Sequence, residues 1–233
     1  VDRIVGSASA GISWLLNLQN SDGGWPTFCR GWGKLPFDRS GVDLTAHALR
    51  ALHAWQDLSF RGSQAAMQRG ERFIQNAQRP DGSWVPLWFG NQDHPEEENP
   101  VYGTAKVLHA LRDLGKLETS VGKRGLQWLA SVQNKDGGWG CGTEPPGSKH
   151  EQKSSVEETS LAVEALAASS LAGLHHAQLT QGVKWLVEAV VQDRHRDSSP
   201  IGFYFAKLWY YEKLYPMIFV VAALGQATNR DGN

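Results

Sequence analysis

The sequence predicts an all-α fold in which two concentric rings of helices make an α/α barrel, present for about four of six helix pairs. Three observations predict it. A Gln-x-x-Asp-Gly-x-Trp turn recurs at Gln19–Trp25, Gln78–Trp84 and Gln133–Trp139, with a worn copy starting at Gln192. The glutamines stand 59, 55 and 59 residues apart, a spacing that marks a repeat architecture. Apolar residues follow helical periodicity throughout, and alternation of the strand kind is absent. The predicted helices also come in two kinds that alternate along the chain.

Taken in order, helices are expected at Arg3–Leu18, Asp43–Asp57, Gln64–Ala77, Val101–Leu114, Ser120–Val132, Ser155–Ser169, Ala177–Val191 and Tyr211–Ala227. One kind carries large apolar residues and runs into the Gln…Trp turn. There Asp-Gly supplies the positive φ of a helix stop. The tryptophan is too large to leave in water, and the glutamine amide is expected to bond to groups left open at a neighbouring helix end while the indole packs on it. Gln19, Trp25, Gln78, Trp84, Gln133 and Trp139 are therefore read as structural clamps. The second kind is rich in alanine, as in Thr45–Leu52, Thr104–Leu111 and Thr159–Leu166. Small residues permit close approach, which places these helices in the inner ring. The loops Pro26–Val42, Val85–Pro100 and Gly140–Ser154 then lie at one end of the barrel, where site residues should collect.

Residues 1–233 read as a single repeat domain. With 41% hydrophobic and 20% charged residues the composition is that of a soluble globular chain, apart from its ten tryptophans. A net charge of −1 and a pI near 6.8 argue against a nucleic-acid partner. Cys29 and Cys141 suit a reducing compartment and supply no disulfide framework. The N-terminus has no secretory apolar core, and no run of about 18 apolar residues could span a bilayer, so an intracellular location is expected. The absence of an initiator Met points to part of a longer chain.

Asp43 and His47 are four apart at the start of an inner helix and are expected to hydrogen-bond, which would raise the His pKa and fix its ring. The plain reading of Asp43 is a helix N-cap, compatible with that role, and of His47 an ordinary helical histidine. Asp38 or Asp43 acting as the acid alone is disfavoured, because a helix N-terminus should lower a carboxyl pKa. Glycines at 137–142 follow no strand and are explained by the repeat turn, so no nucleotide site is expected. Cys141 and His150 lack companions for a metal site. Glu96–Glu98 read as a solvated loop face. Between Ile201 and Pro216 seven aromatics crowd together, read either as a core seam or as a cavity wall whose π-faces stabilise a cation.

The Gln…Trp repeats, Asp43-Leu-Thr-Ala-His47, Trp84 followed by Trp88, Tyr102-Gly-Thr and Glu158-Thr-Ser-Leu-Ala together resemble the C-terminal part of squalene–hopene and oxidosqualene cyclases. The resemblance covers nearly the whole chain. It implies a fold of the prenyltransferase/squalene-cyclase type and an enzyme that cyclises squalene, or a related polyprenoid, by protonating a terminal double bond. It implies no cofactor and no metal. It assigns Asp43 and His47 to the support of an aspartate-rich acid. Phe28, Phe37, Trp88, Tyr102, Phe203, Tyr204, Phe205, Trp209, Tyr210 and Tyr211 are assigned to the cavity wall. The Asp-x-Asp-Asp acid of that family is not in this sequence and is expected in a missing upstream barrel segment, without which this stretch is expected to be inactive. The family's Gly-x-Gly-Phe-Pro stretch is replaced by Ser198-Ser-Pro-Ile-Gly, and Asp93–Asn99 is an insertion. Peripheral or monotopic contact with the cytoplasmic side of a membrane is a further expectation of the resemblance. The rival reading is a non-catalytic helical-repeat module that binds an isoprenoid or a protein partner, or completes itself as a dimer.

Overall fold

The computed structural model describes residues 2–27, 38–58, 60–140, 154–169, 175–203 and 208–231. Its helices are α1 (Asp2–Leu18), α2 (Val42–Ala54), α3 (Ser63–Asn76), α4 (Pro100–Asp113), α5 (Ser120–Ser131), α6 (Val156–Ala167), α7 (His176–Val191) and α8 (Leu214–Asp231). In the inner layer α2 packs on α4, α4 on α6 and α6 on α8, while α3, α5 and α7 lie against them from outside. This is the predicted α/α barrel arrangement. The inner helices show why the layers sort as they do. From Val101 to Leu111 every residue of α4 is buried except Lys106, and α6 is almost as enclosed. A helix apolar or small on all sides is stable only when covered on all sides.

Three clamps hold the outer layer, built alike. Each tryptophan is buried to 1% exposure or less. Its indole N–H donates to a carboxyl-side carbonyl of the helix just ended, at Leu15 (2.8 Å), Ile74 (2.8 Å) and Leu129 (2.7 Å). Its backbone N–H donates to Thr45, Thr104 or Thr159 Oγ1 at 2.9–3.0 Å, tying the turn to the next inner helix. The ring lies over a glycine of the following outer helix. A Cβ at Gly70, Gly125 or Gly182 would stand 2.7–2.8 Å from Cζ3 of Trp25, Trp84 or Trp139, so only glycine leaves room for the indole there.

The glutamine differs from expectation. Its Nε2 donates to its own turn, at Gly23, Gly82 and Gly137 O, and to carbonyls within the first turn of the next outer helix, at Ala66, Val121 and Gln178 O (2.8–3.0 Å). The open groups at a helix start are N–H donors, which an amide NH₂ cannot satisfy. The acceptor Oε1 is instead taken by Arg69 at Gln19 and by Arg124 at Gln78. The worn fourth copy forms no such clamp: Gln192 caps α7, and Asp193 at φ 60° leads into a 3₁₀ turn, Arg194–Arg196.

A second difference is a small antiparallel sheet of β1 (Phe89–Asn91), β2 (Pro200–Phe203) and β3 (Leu208–Tyr211) in the order β1-β2-β3. Phe89 pairs with Phe203, and Ile201 pairs with both Asn91 and Tyr210. Strands of three or four residues are too short to register as alternation in sequence. Tyr211 pairs with Pro200, so the last helix begins at Leu214 and not at Tyr211. The sheet ties the second long loop to the aromatic segment and meets the starts of α4 and α6, where Phe89 packs on Tyr102 and Asn91 bonds Glu158.

Candidate active site

Thr45, Thr104 and Thr159 receive the tryptophan N–H groups and so index the three inner helices against one another. Counting from each threonine, equivalent positions one helical turn apart share a face. Two residues before it stand Asp43, Tyr102 and Glu157; two after, His47, Lys106 and Leu161; five after, Arg50, His109 and Glu164. The scaffold is common and the side chains differ.

Asp43 is the second residue of α2, after an N-cap at Gly41, and is not itself the cap. It is 1% exposed, and among the described residues no group meets either carboxylate oxygen in good hydrogen-bond geometry, the nearest being the amides of its own first turn. Burial raises its pKa to about 6, offset in part by the amides of its own first turn and by Lys106. The expected lowering by the helix terminus therefore loses to desolvation. His47 is exposed on the same face and makes no bond to Asp43. Its pKa is lowered, through the water it loses against the packed face first and then the positive charges of Lys106 and Arg50, a direction opposite to the predicted rise. The imidazole is neutral at pH 7.

Tyr102 and Lys106 face this acid from α4. Tyr102 is 7% exposed, and burial, with Asp43 next, pushes its hydroxyl pKa well up. Its ring lies 5.3 Å from that of Phe89. The Lys106 ammonium sits 5.2 Å from the Tyr102 centroid and 4.7 Å from that of Phe219, which in turn stacks on Tyr215. Deeper on the same face Arg112 binds Glu164 (3.0 Å), and Asp113 joins Arg112 (2.7 Å) to Arg50 (2.5 Å).

The start of α6 carries two further acids. Glu158 is buried, receives Ser155 Oγ at 2.7 Å and Asn91 Nδ2 at 3.1 Å, and has its pKa raised by burial to about 7. Glu157 accepts from Ser199 N (2.8 Å) and Oγ (2.5 Å), and burial raises its pKa as well. Glu158 opens onto a cavity of about 440 Å³ that Asn91, Trp185, Arg194, Ser199 and Tyr211 also line. Sequence reasoning missed Glu157, Lys106 and Asn91 as site residues. For two of them the signal was present in the repeat, because aligning the three Trp-to-Thr spacings puts Glu157 in the slot of Asp43 and Lys106 in that of His47; Asn91 stands on β1, outside those slots.

The other assigned residues divide. Trp88 is buried, and its indole donates to Thr27. Trp209 and Tyr210 are half-buried on β3, and Tyr211 is 60% exposed at the rim of the 440 Å³ cavity. Phe203 pairs through its backbone in β2. Phe28, Phe37, Tyr204, Phe205, Cys29, Cys141 and His150 lie outside the described residues. Of the predicted loop face, Glu96 is exposed, while Glu98 binds Arg79 at 2.8 Å.

Residues 3–229 match the family described as the squalene-hopene cyclase C-terminal domain. Drimenyl diphosphate synthase of Streptomyces showdoensis is 30% identical over 97% of this chain and 39% of its own length. Squalene–hopene cyclase of Bradyrhizobium diazoefficiens is 31% identical over 56% of this chain and 20% of its own. Enfumafungin synthase of Hormonema carpetanum is 29% identical over 85% and 16%. The chain thus spans well under half the length of these curated relatives. Among solved structures, ent-copalyl diphosphate synthase from Streptomyces platensis superposes with a TM-score of 0.65 at 20% identity, over 94% of this chain and 37% of that one. Type II terpene cyclase MstE from Scytonema gives 0.62 at 14%, over 92% and 66%. At these identities the structural likeness speaks for the fold.

Proposed function

The chain belongs to the squalene-hopene cyclase C-terminal domain family, a family of terpene cyclases, and from that premise we propose that it forms one wall of a cyclase cavity. In this reading the enzyme closes rings in squalene or a related polyprenoid by protonation followed by carbocation rearrangement. The observation that carries it is Asp43. A buried carboxyl met by no group in good hydrogen-bond geometry, with a pKa near 6, costs stability, and such groups persist where a reaction uses them. Beside it Tyr102, Phe89, Phe219 and Tyr215 offer π-faces, which stabilise positive charge without trapping it as a nucleophile would.

Asp43 and the neutral His47 would share the proton of an acid that the rest of the protein supplies. His47 would accept a hydrogen bond and Asp43 would take up or hold the proton. The reading includes a peripheral or monotopic position at the cytoplasmic side of a membrane. It is supported by the exposed apolar stripe Leu214, Ile218 and Val221 on α8, next to Leu208 and Tyr211. Among the described residues no helix is long and apolar enough to cross a membrane.

The test is turnover of squalene and shorter polyprenoids by the complete protein, with products identified by mass spectrometry. Asp43→Asn is expected to slow cyclisation by roughly 10²-fold or more, the scale of a lost acid–base group, and His47→Ala to slow it less. Wild-type rates in both variants would sink the assignment.

A further inference from the structure

Two buried acids at the start of α6 have no part in the cyclase reading, and one of them, Glu158, lines two cavities at once. The larger, of about 440 Å³, opens outward past Asp93, Asp197 and Tyr211, which are exposed at its rim. The smaller, of about 10 Å³, lies on the inner side among Tyr102, Leu161, Ile201, Tyr215 and Phe219, and has the size of a single water molecule. The larger cavity has its origin in the repeat. In the three intact clamps the sixth residue after the glutamine is a buried tryptophan, whereas in the worn copy it is Ser198, which lines that cavity.

Asn91, Glu158, Ser199 and Pro200 line both cavities and so form the wall between them. Only one of them can pass a proton across. The Asn91 amide and Pro200 do not titrate, and Ser199 gives its hydroxyl proton to Glu157 at 2.5 Å. Glu157 itself lines the smaller cavity alone. Glu158 is fixed in the wall by Ser155 Oγ at 2.7 Å and Asn91 Nδ2 at 3.1 Å, both donors, which hold its carboxylate ready to accept. Arg194 of the larger cavity lies over Trp185 at 5.1 Å and binds Gln192 at 2.9 Å instead of pairing with it. Burial, joined by the like charges of Glu157 and Asp93, raises the Glu158 pKa to about 7, so both of its protonation states are populated at neutral pH. On the far side of the smaller cavity stands Tyr102, close enough to Asp43 for that charge to raise its phenol.

An acid that starts each reaction by giving up a proton must regain one before the next. Resting on the cyclase reading above, we propose that Glu158 is the port through which that proton returns from solvent, with the cavity of the worn repeat as its inlet. A proton from water or buffer in the larger cavity binds a carboxylate oxygen of Glu158. That O–H bond then breaks toward a water in the smaller cavity, which passes one of its own protons toward the Asp43 side of α4, and the carboxylate is restored. Only O–H bonds form and break, and one proton moves inward per turnover.

The test separates the first turnover from those that follow, in the complete protein with squalene and farnesyl diphosphate as probes. Glu158→Gln keeps the shape of the wall and removes the titrating group. It is expected to leave the first turnover within about twofold of wild type, because the acid is already loaded, and to slow later turnovers by about tenfold or more. Glu158→Asp should keep most of the steady rate. Glu158→Ala opens the wall, and imidazole, which fits the larger cavity and carries protons, should restore its later turnovers. A damaged fold would slow the first turnover too and would not answer to imidazole. Later turnovers at the wild-type rate in Glu158→Gln, a first turnover slowed as much as the rest, or a Glu158→Ala protein that imidazole leaves slow overturns the proposal. A wild-type protein that forms no ring removes the cyclase reading and this inference with it. Ring formation by the wild type, with first and later turnovers alike in Glu158→Gln, refutes this inference alone.

Discussion

The outer seam and the inner face of this molecule obey opposite rules. Along the seam three clamps repeat the same bonds to within 0.2 Å: indole to carbonyl, amide to carbonyl, backbone N–H to threonine. On the inner face the slots indexed by those same threonines hold an acid, a phenol and an acid, then a histidine, a lysine and a leucine. The seam contains satisfied polar groups and filled space; the face contains Asp43, whose oxygens meet no group in good hydrogen-bond geometry, and an ammonium paired only with rings. A scaffold that repeats leaves the chemistry free to vary, since a change on the inner face breaks no clamp.

The sharpest way to break that contrast is to remove a clamp. Trp84→Ala deletes a fully buried indole over Gly125 and is expected to cost about 3–5 kcal/mol, read as a fall in the denaturant midpoint. A loss under about 1 kcal/mol would mean that the seam does not hold the layers.

On the inner face the sign should invert. The Asp43 pKa rises from 3.8 to about 6 on folding, so the folded state holds the proton more tightly than the unfolded chain. That advantage is complete below pH 3.8 and is lost as pH rises to about 6, amounting to about 3 kcal/mol at 1.36 kcal/mol per unit. Asp43→Asn should therefore gain stability relative to wild type as pH is raised from 4 to 6, with no further gain above. A difference independent of pH in paired melts would show that the carboxyl is solvated. In a cyclase, this same variant trades activity for stability.

The smallest effect is expected at the glutamine. Gln133→Ala removes donors to Gly137 and Gln178 O (both 2.8 Å), and should cost about 0.5–1.5 kcal/mol in the same denaturant assay. The Gln178 carbonyl lies inside a helix and keeps its own helical bond. A larger loss would make the amide the principal part of the clamp in place of the indole.

Much of the fold was legible. Helix limits lie within four residues of expectation, because caps and turns are local: Ser155 and Thr119 cap α6 and α5, and Gly23, Gly82 and Gly137 carry the positive φ of each turn. The sheet was not legible, since β1 and β2 are more than a hundred residues apart and each is too short to carry a period of its own. At the candidate site, Asp43 and His47 were singled out from their four-residue spacing, and the hydrogen bond expected between them does not form. Spacing shows that two side chains share a face; it does not show that they meet.

What the sequence determined by itself was everything built from neighbours: the period, the two kinds of helix, the stops, and the indoles that need a roof. What only the tertiary structure decided was burial and charge. Asp43 titrates high because the packing of α2 on α4 buries it, and His47 titrates low first because that packing strips water from it and then because Lys106 of α4 stands close to it in space. Desolvation and Coulomb attraction depend on distance through the fold, and distance along the chain carries no record of it.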